Sequence, residues 1–194
     1  MPPGREDLVA QACGIVLAGG RSRRFGRDKL AEPVDGRPLL ARAIDAVRAV
    51  AGEVVVVSAP GLDRPIPDGI RLVHDPTPFE GPLAGLAVGL DALGPDVERV
   101  IVVGGDMPSL DPAVLTRLLA ALDDGAVAML DDGSDVHPLP AAVLAAPARQ
   151  ATRALLETGE RRLRALATGL PTVVLDPATW RPLDPSGATL RDVD

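Results

Sequence analysis

Aromatic side chains are nearly missing from this 194-residue chain: two Phe, one Trp and no Tyr. A surface that stacks the bases of single-stranded nucleic acid needs aromatic platforms, so that class is all but ruled out. The core must instead come from Val, Leu, Ile and Ala. Cysteine is limited to Cys13. One thiol closes no internal disulfide, which points to a reducing cytoplasm. Beside two His, it leaves the usual zinc sites short of ligands. No apolar run approaches about 18 residues, so no membrane-spanning helix is expected. The N-terminus carries Arg5, Glu6 and Asp7, and its first apolar stretch runs into Arg21-Ser22-Arg23-Arg24, unlike a signal peptide. An excess of positive charge is also lacking: 20 Lys and Arg stand against 27 Asp and Glu, a formal net charge of −7. That argues against duplex nucleic acid as a partner. It leaves room for a local basic site that takes a small anion.

Hydrophobic residues at 46% and charged residues at 24% are ordinary for a globular protein. At about 150 residues per domain, one domain is expected. It spans 1–194, with 1–12 and 181–194 flexible or peripheral. The 20 Gly and 20 Pro fall between periodic segments, which suggests many elements joined by tight loops. Short apolar runs predict buried strands over 14–18, 54–57, 70–73, 99–103, 126–130 and 172–175. Helical spacing marks 37–51, 82–93, 112–122, 147–157 and 160–168, with Pro82 in a first turn and Asp111 as an N-cap before Pro112. Residues 137–144 are interrupted by proline and fit an edge strand or a loop. Continuously apolar strands alternating with helices predict an α/β, Rossmann-like single domain. Its sheet is mostly parallel, with helices on both faces. Ligands of such sheets bind outside the carboxyl ends of the strands.

Three clusters follow strands. After the first come Leu17-Ala18-Gly19-Gly20 and then Arg21, Arg23, Arg24, Arg27 and Lys29. Paired glycines let backbone N–H groups approach an anion, arginine offers a planar fork to phosphate oxygens, and lysine offers a compact charge. The pattern is neither a dinucleotide fingerprint nor a Walker A loop. After the third strand come His74-Asp75-Pro76 and Gly81-Pro82-Leu83-Ala84-Gly85. Asp75 suits a base or ribose edge or a metal, and equally a turn or cap. After the fourth come Gly104-Gly105-Asp106-Met107-Pro108. A carboxylate at the tip of a buried strand suits Mg2+ held against phosphates, with turn or cap as the alternative.

These clusters together resemble the nucleotidyltransferases that activate sugars and cofactors with a nucleoside triphosphate, and among them the MobA-like molybdenum cofactor guanylyltransferase family. Residues 17–29 match its signature loop, Asp75 with 81–85 its D…GPLAG block, and 106–108 its D-x-P element. His137-Pro138 and Gly159-Glu160-Arg161-Arg162-Leu163 agree as well, so the likeness runs over about residues 14–168. It implies transfer of GMP from GTP to the terminal phosphate of molybdopterin, with release of pyrophosphate. It also implies Mg2+ as cofactor and contacts with proteins that insert or accept the finished cofactor, in a monomer or weak homo-oligomer. On this resemblance Arg23, Arg24 and Lys29 serve the phosphates and Asp106 the metal. Leu17, Ala18, Gly19, Gly20, Ser58, Asp75 and Gly85 line the nucleotide. Gly19-Gly20 favours GTP; cytidylyl relatives tend to read L-A-A-G, so a CTP-using enzyme is the alternative, followed by a non-catalytic nucleotide-binding protein.

The chain departs from the family in three places. A single Gly26 precedes Arg27 where many members have two glycines. Ser58-Ala59-Pro60 stands where many have Asn. The C-terminal N-x-N-T-P-E-[DE]-L motif is met only by Arg191-Asp192-Val193-Asp194. Cys13 reads as a small core residue, and His137 as a packing or pterin-side residue. Asp131, Asp132 and Asp135 read as a solvated turn, because the spacing lacks the rest of an EF-hand loop.

Overall fold

The runs of β-branched residues set the frame. Ala12–Ala18 (β1), Glu53–Ser58 (β4), Arg71–His74 (β5) and Arg99–Gly104 (β6) form strands. So do Val127–Asp131 (β7), Val136–Leu144 (β8) and Thr172–Leu175 (β9). The computed structural model describes residues 12–19, 29–31, 33–34, 36–61, 66–76 and 80–193. The seven strands make one sheet in the order β5-β4-β1-β6-β8-β7-β9. Pairing is parallel throughout except where β8 runs antiparallel to β6 and β7. A separate two-stranded ribbon, Pro33–Val34 (β2) with Arg37–Pro38 (β3), precedes the first helix.

The period of two along each strand sends side chains to opposite faces, and each face meets its own helices. Ala12, Val16, Val54, Val56, Ile101 and Val103 pack with helices Leu39–Arg48 (α1) and Pro112–Ala120 (α3). Ile15, Val55, Val57, Val100 and Val102 pack on the other face with Pro82–Ala92 (α2) and Ala145–Glu157 (α4). The expected helix-covered parallel sheet is therefore present, and Cys13 lies in it as a buried residue. Burial pushes its thiol pKa up, with the Glu53 carboxylate adding to the effect.

Two expectations need correction. Segment 137–144 is neither an edge strand nor a loop: β8 lies between β6 and β7. Its ladder with β6 uses only Ala141 to Leu144, and its pairing with β7 shifts register between Ala128 and Leu130. Pro138 and Pro140 fall in that interruption, so an interior strand keeps both without losing ladder donors. The C-terminal segment is also not peripheral across 181–193. Helix Pro177–Trp180 (α6) and a 3-10 turn over Ala188–Leu190 are present, and Trp180, Asp184 and Thr189 are buried. The Trp180 indole N–H donates to the Asp131 carbonyl at 2.8 Å. The helical pattern over 160–168 resolves into a 3-10 turn, Leu163–Ala165, and a short helix, Leu166–Gly169 (α5).

The sheet and α1 approach so closely that Gly14 has no room for a side chain. A Cβ there would stand 2.1 Å from Cγ1 of Val47. Gly14→Ala is expected to cost about 2 kcal/mol through overpacking of a stiff β-branched neighbour. Urea melts check this: an unchanged midpoint would contradict the tight β1–α1 contact.

Candidate nucleotide site at the carboxyl edge of the sheet

The chain leaves β1 and builds β4 and β5 on one side of it. It then crosses through α2 to build β6 on the other. The strand order thus reverses between β1 and β6, where a crevice opens at the carboxyl edge of such sheets. Strand register brings Ala18, Ser58 and His74 level with one another, and Leu17 level with Gly104. Asp75 N–H donates to the Ser58 carbonyl, and Gly105 N–H donates to the Leu17 carbonyl, both at 2.9 Å. Leu17, Ala18, Gly19, Ser58, Asp75 and Asp106 therefore line one edge. With strands about 4.8 Å apart, the three steps from Asp75 to Asp106 span about 14 Å.

Asp106 lies in a tight turn, with Met107 N–H bonded to the Gly104 carbonyl at 3.3 Å. Its carboxylate folds over Gly104: a Cβ at 104 would meet Asp106 Oδ1 at 2.6 Å. Asp106 does not cap the following helix. Asp111 does, accepting from Ala113 N–H at 2.7 Å as its position before Pro112 predicts. Gly105 is hemmed in by Leu40, Leu30 and the Leu17 carbonyl, each 3.2 to 3.4 Å from where its Cβ would stand. Leu30 is buried there, in the 3-10 turn that Lys29 opens. The backbone at Lys29 thus enters beside the end of β6. Gly20, Arg21, Arg23, Arg24 and Arg27 lie outside the described residues.

Gly85 faces inward, where a Cβ would stand 3.3 Å from Leu17 Cδ2 and 3.9 Å from Val57 Cγ1. The structure gives it a packing task, letting α2 approach β1. Gly81 has φ +97, and its missing Cβ would lie 2.9 Å from the Arg161 carbonyl oxygen. That carbonyl accepts the Leu83 N–H at 3.2 Å. The Gly-Glu-Arg-Arg-Leu segment is thereby docked on the first turn of α2. Glu160 orders it, accepting from the Arg161 and Arg162 backbone N–H groups and from the Arg162 guanidinium at 2.8 to 3.0 Å. The Arg162 side chain, then those amides, hold the Glu160 pKa down to about 2. The stabilisation from this charge is present above the ordinary glutamate value and is lost as pH falls through about 2.

Asp131, Asp132 and Asp135 form the solvated turn expected of them. Asp131 Oδ1 accepts from Gly133 N–H, and Asp132 Oδ1 from the N–H and hydroxyl of Ser134, all at 2.7 Å. His137 Nε2 lies 2.8 Å from Asp132 Oδ2, a local packing contact. The Ser134 hydroxyl first, then His137, hold the Asp132 pKa far below the usual carboxylate range. Among the described residues no three His, Cys, Asp or Glu side chains gather as a metal-binding group. None of the helices there is long and apolar enough to cross a membrane.

Sequence reasoning missed Arg42, whose Nε donates to the Pro108 carbonyl at 3.0 Å and ties α1 to the Asp106 loop. An arginine on an amphipathic helix reads as solvent-facing, and no local signal marks this one. It also missed Asp184 and Thr189, which lie in a polar, proline-containing segment.

Gly81→Ala is expected to destabilise the protein by about 2 kcal/mol or more, because it adds left-handed strain to a backbone clash. It should also speed amide exchange at Leu83. Wild-type exchange at Leu83 would contradict the docking of 159–162 on α2.

A family model described as the MobA-like NTP transferase domain matches residues 14–173. A molybdenum cofactor guanylyltransferase from Xanthomonas euvesicatoria is 41% identical over 81% of this chain and 78% of its own length. One from Rhodobacter capsulatus is 35% identical over 84% of each. Two solved structures share the fold. Molybdopterin-guanine dinucleotide biosynthesis protein A from Archaeoglobus fulgidus has TM-score 0.74, 18% identity, and coverage of 93% of this chain and 91% of that one. The 2-C-methyl-D-erythritol 4-phosphate cytidylyltransferase from Thermus thermophilus has TM-score 0.68, 20% identity, and coverage of 93% and 91%. The chain belongs to the MobA-like NTP transferase family and is a nucleotidyltransferase.

Proposed function

We propose that this chain transfers GMP from GTP to the terminal phosphate of molybdopterin. The observation that carries the reading is the convergence of the β1, β4, β5 and β6 ends on one edge at the β1–β6 reversal. It is supported by relatives that bear this activity in their names at 35% and 41% identity over most of the chain. An acceptor phosphate oxygen attacks the α-phosphorus of GTP. The new P–O bond forms as the bond to the β-phosphate oxygen breaks, and pyrophosphate leaves with that electron pair. The attacking oxygen is already anionic, so no strong general base or covalent nucleophile is needed. The barrier lies in bringing polyanions together and in the charge that builds on the leaving group, so positioning and electrostatics do most of the work.

The residues divide that work. Leu17, Ala18, Gly19 and Gly20 present backbone groups to the nucleotide, with Ser58 and Asp75 toward the nucleoside. Arg23, Arg24 and Lys29 take the phosphates. Asp106 fits a Mg2+ site: its hard carboxylate oxygen stands over a glycine whose Cβ would fill the space. A single carboxylate suffices where phosphates and waters supply the other ligands. Bound there, Mg2+ would offset phosphate charge. Arg42, bonded to the Pro108 carbonyl, and the turn from Gly104 to Met107 fix the backbone on which Asp106 sits.

Asp106→Asn keeps the shape and removes the charge. It is expected to lose Mg2+-dependent turnover by about 10²-fold or more, with a nearly unchanged urea midpoint. Lys29→Ala should lose about 10²-fold as well. Near-normal turnover in both purified variants would contradict the site. At matched concentrations with Mg2+, GTP is expected to raise the melting temperature more than CTP or ATP. Equal shifts would reject guanine selectivity, and a larger CTP shift would favour a cytidylyl transfer.

A further inference from the structure

The loop from Asp106 to Asp111 is held at both ends by the C-terminal segment. At its start, the Asp106 carbonyl accepts the Val193 N–H at 3.1 Å. At its end, the Asp111 N–H donates to the Thr189 hydroxyl at 3.0 Å. The clamp has its own anchor. Asp184 is buried and accepts from Thr189 N–H at 2.8 Å and from the Ser186 hydroxyl at 2.6 Å. Thr189 has no exposed surface, and Trp180 fixes the preceding helix in the core. Leu190 adds an apolar contact with the core. The polar bonds named here fall into two sets, those from Asp184 that brace the segment itself and those from Thr189 and Val193 that reach the 106–111 loop.

We propose that residues 184–193 form a strap that positions Asp106 for the divalent cation, with Thr189 and the Val193 backbone N–H as positioning groups. The inference deepens the functional reading above and rests on it. The strap touches no reacting atom. It limits the orientations open to the Asp106 peptide, and so the entropy lost when the carboxylate takes a cation.

The whole chain tests this with Val193→Pro, which removes the N–H and fixes φ at that position, and Val193→Ala, which keeps the N–H and controls for the lost side chain. Thr189→Val and Thr189→Ser form the second pair. The readouts are Mn2+ binding to the protein alone, followed by the EPR signal of free Mn2+, the Mg2+ activation curve of GTP turnover, and urea melts. Val193→Pro and Thr189→Val are expected to raise both half-saturation concentrations about five-fold, as for one lost hydrogen bond. Val193→Ala and Thr189→Ser should restore them. A merely structural role would move melts and the active fraction without moving half-saturation. Val193→Pro touches no core contact, so it remains decisive if Thr189→Val fails to fold. Wild-type half-saturation in Val193→Pro, in an enzyme that binds Mn2+ and turns over GTP, overturns the strap alone. A wild-type protein that neither transfers GMP nor binds Mn2+ better than Asp106→Asn overturns the functional reading and the strap with it.

Discussion

The hydrogen bond from Gly105 N–H to the Leu17 carbonyl ties the first residue beyond β6 to the last residue of β1 paired with that strand. It lies where the strand order reverses. Everything placed at the candidate site depends on that junction. Gly104 and Gly105 leave the β6 end bare, so that the Asp106 carboxylate and the Leu17 carbonyl can come close to it. Leu30 packs onto Gly105, as does Leu40 of α1. A side chain at 104 would displace Asp106, and one at 105 would press on the β1 carbonyl and on the turn that begins at Lys29.

The surrounding elements stiffen this junction from different directions. Arg42 reaches from α1 to the Pro108 carbonyl. Asp111 caps α3 while its own N–H is taken by Thr189. On the opposite sheet face, Gly81 and Gly85 let α2 close against Arg161 and Leu17. Electrostatic catalysis requires groups fixed before charge develops. Among the described residues, the 106–111 loop and the 159–162 segment are each bonded to a neighbouring element, the kind of prior fixing that requirement asks for.

The strands were legible because Val54–Val57 and residues 100–103 are continuously apolar, which only a sheet covered on both faces explains. Asp111 before Pro112 predicted its cap for the same local reason that it makes one. The strand-end positions of Gly19, Asp75, Gly105 and Asp106 were legible from the apolar runs that precede them. What escaped was non-local. Prolines 138 and 140 argue for an edge, and only the register break with β7 shows how an interior strand holds them. Asp184 and Thr189 look like a polar tail until Trp180 anchors it. Arg42 carries no local mark at all. Gly85, matched through family likeness as a nucleotide residue, faces the hydrophobic contact between α2 and β1.

The central claim is that the β1–β6 crevice holds the triphosphate and a divalent cation against Asp106. A crystal structure of the protein with a non-hydrolysable GTP analogue and Mn2+ tests it most directly, through the anomalous signal of the metal. The account predicts Mn2+ on the Asp106 carboxylate, with the phosphates between it and the Gly19–Lys29 loop. Metal bound away from Asp106, or a nucleotide seated outside the β1–β6 crevice, would contradict it.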